Sequence, residues 1–259
     1  MEEIKDYKKE FEKGFQKLLY SKSPYEVWSD LMYLYAISIQ NSFTKGIDFF
    51  NEVWDEREKI YLRTINKYKK PEQELICQMF AYIVLELERN PDQDLLGSIY
   101  MNLGIGNKNA GQFFTPYSVC DTMARISITK PMMRKIIKKD GYASVYDCAC
   151  GAGATLIAAV SQCKRIFNRL NYQNHVFFVG QDVDITVLNM CYIQLSLLGV
   201  AGFLKHGNTL VDPEFCLKNK GDLINYYFTP VYFSNIWTQR RFFHGLDLFM
   251  NGGGKNGRI

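Results

Sequence analysis

Between Ala143 and Asn208 the apolar pattern changes period repeatedly, and that alternation constrains the fold more than any other feature of the chain. "ASVYDCA" reads as a buried strand, "GATLIAAVSQCKRIF" as a helix, "HVFFVGQD" as a strand, "ITVLNMCYIQLSLLG" as a helix and "AGFLKHGN" as a third strand. Strands alternating with helices predict a parallel, doubly wound α/β sheet.

A purely helical pattern precedes it. Tyr7, Phe11, Phe15, Leu18 and Leu19 form one helical stripe. Ser23 is placed as an N-cap, with Pro24 at the first helical position and Glu26 completing a capping box ahead of "VWSDLMYLYAISIQ". "DEREKIYLRTINKY" and, after Pro71, "EQELICQMFAYIVLELER" supply two more helices, the last ending at Asn90 and Pro91. The turn-rich "LGIGNKNAGQ" then marks a boundary, giving a helical N-terminal domain over 1–110 and an α/β domain over 111–259.

Composition removes several classes. With 259 residues, 47% of them hydrophobic, the chain can bury a substantial core. No run of about 18 apolar residues is present, so no membrane span is expected. Seven scattered cysteines do not form a secreted disulfide framework, and reduced thiols in the cytoplasm are expected. Cys148 and Cys150 lack the spacing of a zinc site, so no metal is expected. His175, His206 and His244 have no nucleophile spaced around them. A net charge of +4 permits nucleic acid without arguing for it, and the basic clusters Arg134, Lys135, Lys138, Lys139 and Arg240, Arg241 read as solvated faces.

The turn "YDCACGAGATLIAA" carries the chemistry. Gly151 and Gly153, between a strand and a helix N-terminus, let the backbone approach a ligand at the carboxyl end of the sheet. A dinucleotide fingerprint requires a third glycine where Leu156 stands, which argues against NAD. Asp147, just before the turn, suits a cationic amino group, and Asp182, closing the next strand, suits a ribose diol. S-adenosylmethionine presents both. For a lone Gly-x-Gly, an ordinary structural turn is the simpler account.

The turn is not alone. "DCACGAG", with "GQFFTP" (Gly111 to Pro116) before it and "GQDVD" and "GNTL" after it, resembles the N6-adenine DNA methyltransferases of type I restriction–modification systems. The resemblance implies a Rossmann-like S-adenosylmethionine-dependent methyltransferase sheet, preceded by a helical domain. It implies that Phe114 and Thr115 lie against the methionine part of the cofactor, with Thr115 capping the next helix and Pro116 starting it. Asp147, Gly151 and Gly153 would hold the amino acid end, Asp182 the ribose, and Asn208, where the family more often has aspartate, the adenine amino group.

The sequence departs from the family at its fourth motif, Asn-Pro-Pro-aromatic, which grips the flipped adenine. The nearest match is "TPVY", giving Thr229, Pro230 and Tyr232 as catalytic candidates. Threonine offers one rotatable hydroxyl where asparagine offers a fixed carbonyl, a change that by analogy costs roughly 3–4 kcal/mol in the barrier. Tyr232 or Phe233 stacks on a flipped base, or both are core aromatics of a strand, as burial preferences favour. The sheet is expected to be shortened, with "RFFHGLDLFM" or a partner covering its open face. Adenine-containing DNA, a second copy, or a separate specificity or completing chain are the partners implied. Two functions stay open: methyl transfer to adenine N6 in DNA, or a catalytically inactive cofactor-binding or regulatory module.

Overall fold

The computed structural model describes residues 6–105, 114–167, 171–212 and 220–250. Five helices come first: α1 (Tyr7–Leu18), α2 (Pro24–Thr44), α3 (Asn51–Ile65), α4 (Lys70–Arg89) and α5 (Leu95–Asn102). The capping residues act as their chemistry requires. Ser23 Oγ accepts from the Glu26 backbone N–H at 3.2 Å, with Pro24 opening α2. Asp94, at the N-cap of α5, accepts from Gly97 N at 2.9 Å.

Then follow α6 (Tyr117–Ser127), α7 (Lys130–Asp140), β1 (Ala143–Asp147), α8 (Ala154–Ile166), β2 (Val176–Asp182), α9 (Ile185–Leu197), β3 (Gly202–His206), β4 (Tyr226–Phe228) and α10 (Asn235–Met250). The sheet has the order β1-β2-β3-β4. The strands β1, β2 and β3 pair in parallel, with Asp147 opposite Gly180 and Asp182 opposite His206. This is a shortened Rossmann-like α/β sheet behind a helical N-terminal half. The three strands read from the sequence are parallel as expected, and a fourth, β4, adds to β3 in antiparallel fashion. A parallel return needs a long crossover, commonly a helix, and the described residues between β3 and β4 contain only turns and a 3-10 segment.

Residues of β2 alternate between two cores. Val176 and Phe178 face the helices α2, α5, α8 and α9, in a cluster that includes Trp28, Tyr100, Leu156 and Tyr192. Phe177 and Val179 face the opposite way, with Phe50, Phe203, Phe228 and Trp237. The N-terminal helices and the sheet therefore share one core. Trp28 Nε1 donates to Met190 Sδ at 3.4 Å, and Tyr192 Oη lies 3.0 Å from both Gln40 Oε1 and the Phe228 carbonyl.

The first turn of α10 covers the second face, with the Trp237 ring 4.9 Å from that of Phe177. The side chains of residues 243–250 lie outside the description, as does the expected boundary at 106–112. The basic clusters divide. Arg134, Lys135, Lys138 and Lys139 are exposed on α7, as expected. Arg240 and Arg241 instead stack, with guanidinium centres 4.6 Å from the Trp237 ring and 3.8 Å from the Tyr232 ring, because aromatic faces beside them attract the cation.

Candidate functional site

At the carboxyl ends of β1 and β2 the chain must pass from strand to helix in a short space. It does so through two glycines with positive φ: Gly151 at 52° and Gly153 at 98°. Gly153 is also the N-cap of α8, where a Cβ would lie 2.7 Å from Cys191 Sγ. Its role is close packing of the turn on α9, and it does not line the cavity. The backbone N–H of Gly151 donates to Asp182 Oδ2 at 2.8 Å, which ties the turn to the end of β2. Asp182 Oδ1 accepts from Asp184 N at 3.0 Å. Desolvation raises the Asp182 carboxyl above its ordinary value, against the opposing pull of those backbone bonds.

These elements border a cavity of about 210 Å³, whose walls include Asp94, Phe114, Thr115, Gly151, Thr155 and Asp182. Its size is below the roughly 300–1,000 Å³ of clefts that enclose a whole drug-sized ligand. Among the described residues, the only ionisable acids or bases on its walls besides cysteine are the two carboxylates Asp94 and Asp182. Phe114 closes one side, its ring carbons 3.6 Å from where a Gly151 Cβ would stand.

Of the residues expected from sequence, the structure brings Phe114, Thr115, Gly151 and Asp182 together. Asp147 is placed differently: Oδ1 accepts from Ala149 N at 3.1 Å and Oδ2 is bonded by the Thr155 hydroxyl, so it braces the turn and does not line the cavity. Asn208 is exposed after β3, and its amide oxygen accepts from Leu210 N at 2.9 Å, which commits it to a local turn. Thr115 does not cap the next helix. Pro116 holds the N-cap position with φ −54° and ψ 135°, so α6 starts one residue later, at Tyr117.

Thr229, Pro230 and Tyr232 do not reach the cavity at all. Because β4 runs antiparallel, Thr229 returns to the amino end of β3, where its hydroxyl lies 3.0 Å from both Gly202 N and Gly202 O. That is about 13 Å along the strand from the carboxyl end where the cavity opens. Pro230 starts a 3-10 turn. The Tyr232 ring packs 4.6 Å from that of Phe228 and beneath Arg241, and burial raises its hydroxyl pKa. Of the two sequence readings for this aromatic, its position matches core packing.

Sequence reasoning missed Asp94 and its support. Gln194, fully buried on α9, donates from Nε2 to Asp94 Oδ1 and to the Ala152 carbonyl, each at 2.9 Å, and accepts from Leu96 N at 3.1 Å. The available signal was an acid opening the apolar run "DLLG", which marks an N-cap and says nothing of what its other oxygen faces. Among the described residues no His, Cys, Asp and Glu cluster is suited to a metal ion, and no helix is long and apolar enough to cross a membrane.

Parts of the sequence are similar to known proteins. The methylase subunit of the type I restriction enzyme MpnII of Mycoplasma pneumoniae is 29% identical over 130 residues, covering 48% of this chain and 21% of that subunit. This chain thus spans about a fifth of that relative's length. A solved methyltransferase subunit of a type I restriction-modification system from Streptococcus thermophilus is 21% identical, covering 79% of this chain and 43% of its own, with a TM-score of 0.38, too low to bear on the fold. The N-6 DNA Methylase family model matches residues 92–245, a span that begins just before Asp94 and takes in the whole glycine turn. Over more than half its length, then, the sequence carries that family's pattern, and the chain belongs to the N-6 DNA methylase family.

Proposed function

We propose that this chain binds S-adenosylmethionine in the cavity between Asp94, Phe114, the glycine turn and Asp182, as the cofactor-holding part of an adenine-N6 DNA methylase. Family membership implies S-adenosylmethionine-dependent chemistry in general. The observation that carries the assignment to this cavity is the Gly151–Asp182 bond, which fixes a carboxylate at the end of β2 beside a bare stretch of main chain. Each Asp182 oxygen uses one lone pair on a backbone N–H and keeps capacity for a ribose hydroxyl. The N-terminus of α8 on the same wall suits a ligand carboxylate. Phe114 and Thr115 would flank the methionine part, while Asp147 and Gly153 would shape the turn from behind. When bound, the cofactor would supply an electrophilic sulfonium methyl: its carbon–sulfur bond would break as an amino nitrogen attacks that carbon, S-adenosylhomocysteine leaving and the nitrogen losing a proton, so no protein nucleophile is needed.

A second reading is favoured by the position of Thr229–Tyr232 at the far end of the sheet: this chain holds cofactor but does not itself grip adenine. DNA would then be methylated only with residues from a completing or specificity chain, or not at all. Among the described residues β1 pairs on one side only, so its outer edge, where Tyr146 is 46% exposed, is open to an added strand beside the cavity. A cytoplasmic setting suits the reduced cysteines buried around the turn.

Calorimetry with S-adenosylmethionine on the intact chain tests the first reading. Binding is expected, weakened about tenfold or more by Asp182→Ala; equal heats from both proteins would remove Asp182 from the site. Transfer of labelled methyl to adenine-containing DNA separates the readings, because cofactor binding with no transfer supports the second.

A further inference from the structure

We propose that Asp94, carried into the cavity by the N-terminal helices, receives the cationic amino group of the cofactor's amino acid end. This rests on the S-adenosylmethionine reading above and assigns to Asp94 the role that sequence position suggests for Asp147.

Four observations converge. The Asp94 side chain lines the cavity although the residue is only 8% exposed. Its two oxygens are used unequally: Oδ1 takes both Gly97 N and Gln194 Nε2, while no donor among the described residues is paired with Oδ2. A buried carboxylate with an open oxygen is costly unless a cation meets it, and among the described residues no lysine, arginine or histidine stands on the cavity wall. Space for that oxygen is specifically kept, since a Cβ on Gly97 would lie 2.0 Å from it.

The competing acids are occupied. Asp147 is bonded by Ala149 N and the Thr155 hydroxyl, and Asp182 braces Gly151 and Asp184 at the nucleoside side. An ammonium offers three donors in any direction, which suits one open oxygen better than a planar fork would. Asp94 is thus a binding residue on the helical half, and the site is incomplete without α5.

The test uses two probes on the intact chain. S-adenosylhomocysteine has the amino acid end, and 5′-methylthioadenosine has the nucleoside without it. Calorimetry of Asp94→Asn, which keeps an N-cap and an oxygen for Gln194, is expected to show about tenfold or greater weakening for S-adenosylhomocysteine. For 5′-methylthioadenosine the same variant should stay within about twofold. Asp94→Ser, a shorter cap without charge, should give the same pattern, and thermal melts of both variants confirm folding. Equal loss for both probes, or none for either, overturns the role of Asp94 while leaving the cavity assignment intact. Failure of the unaltered chain to bind either probe overturns both.

Discussion

Gln194 holds Asp94 in place, its Nε2 donating to Oδ1 at 2.9 Å from a side chain with no solvent exposure. The same amide nitrogen donates to Ala152 O, and the amide oxygen accepts from Leu96 N. One side chain of α9 thereby fixes the start of α5 against the glycine turn. A buried amide with its donor and acceptor groups used in this way positions its partners tightly, because each lost bond leaves a buried polar group unpaired.

Asp94→Asn should stabilise the ligand-free protein at neutral pH. Desolvation raises the Asp94 carboxyl above its ordinary value, and the bonds from Gln194 and Gly97 only partly oppose it. The folded state therefore holds the proton more tightly than the unfolded chain. The group's contribution to stability is full below the ordinary carboxylate pKa of about 4 and is lost as pH rises through the raised value. Melting curves should show the variant ahead at pH 7 and level with the parent below about pH 4.

Gly97→Ala should damage the site more than the fold. The new methyl would displace the Asp94 carboxylate, breaking the cap bond and the Gln194 bond. Alanine's advantage in a helix, at most about 1 kcal/mol, does not offset those losses, so a net destabilisation of about 1–2 kcal/mol is expected in urea titrations. Affinity for S-adenosylhomocysteine should fall about tenfold or more in the same variant.

Arg57→Met should loosen the helices from β4. Arg57, 2% exposed on α3, donates from Nη2 to the carbonyls of Leu223, Ile224 and Tyr226 at 3.3, 2.9 and 2.8 Å. Its guanidinium centre lies 4.8 Å from the Tyr227 ring. Burial lowers its pKa, so losing the three carbonyl partners is costly at both ends of the contact. A loss of about 3 kcal/mol is expected. Because the helices and sheet share one core, urea unfolding followed by fluorescence and by circular dichroism should still give one coincident transition.

Tyr232→Ala should lower stability by about 2–4 kcal/mol and leave affinity for S-adenosylmethionine within about twofold. Its ring packs among Phe228, Phe233 and Phe177 under Arg241, away from the cavity wall. A large loss of affinity with unchanged melting would return this residue to the site.

Much of the fold was legible because its signals are local. The caps at Ser23 and Pro24, the short apolar run in "HVFFVGQD" and the glycines needed for positive φ at 151 and 153 each act within a few residues. The short α5 and the basic α7 escaped because neither has an apolar stripe long enough to read. The fourth motif misled for a related reason: "TPVY" matches a spacing, and spacing does not encode strand direction.

What the sequence by itself determined is therefore most of the longer elements and the chemistry of the turn that joins β1 to α8. Only the tertiary structure decided which acid faces the cavity and where the fourth strand goes. Asp94 and Gln194 are 100 positions apart, and the Thr229–Gly202 pairing depends on a strand reversing across an edge. Both are outcomes of long-range packing, in which buried polar groups take whatever partners the assembled core brings within reach.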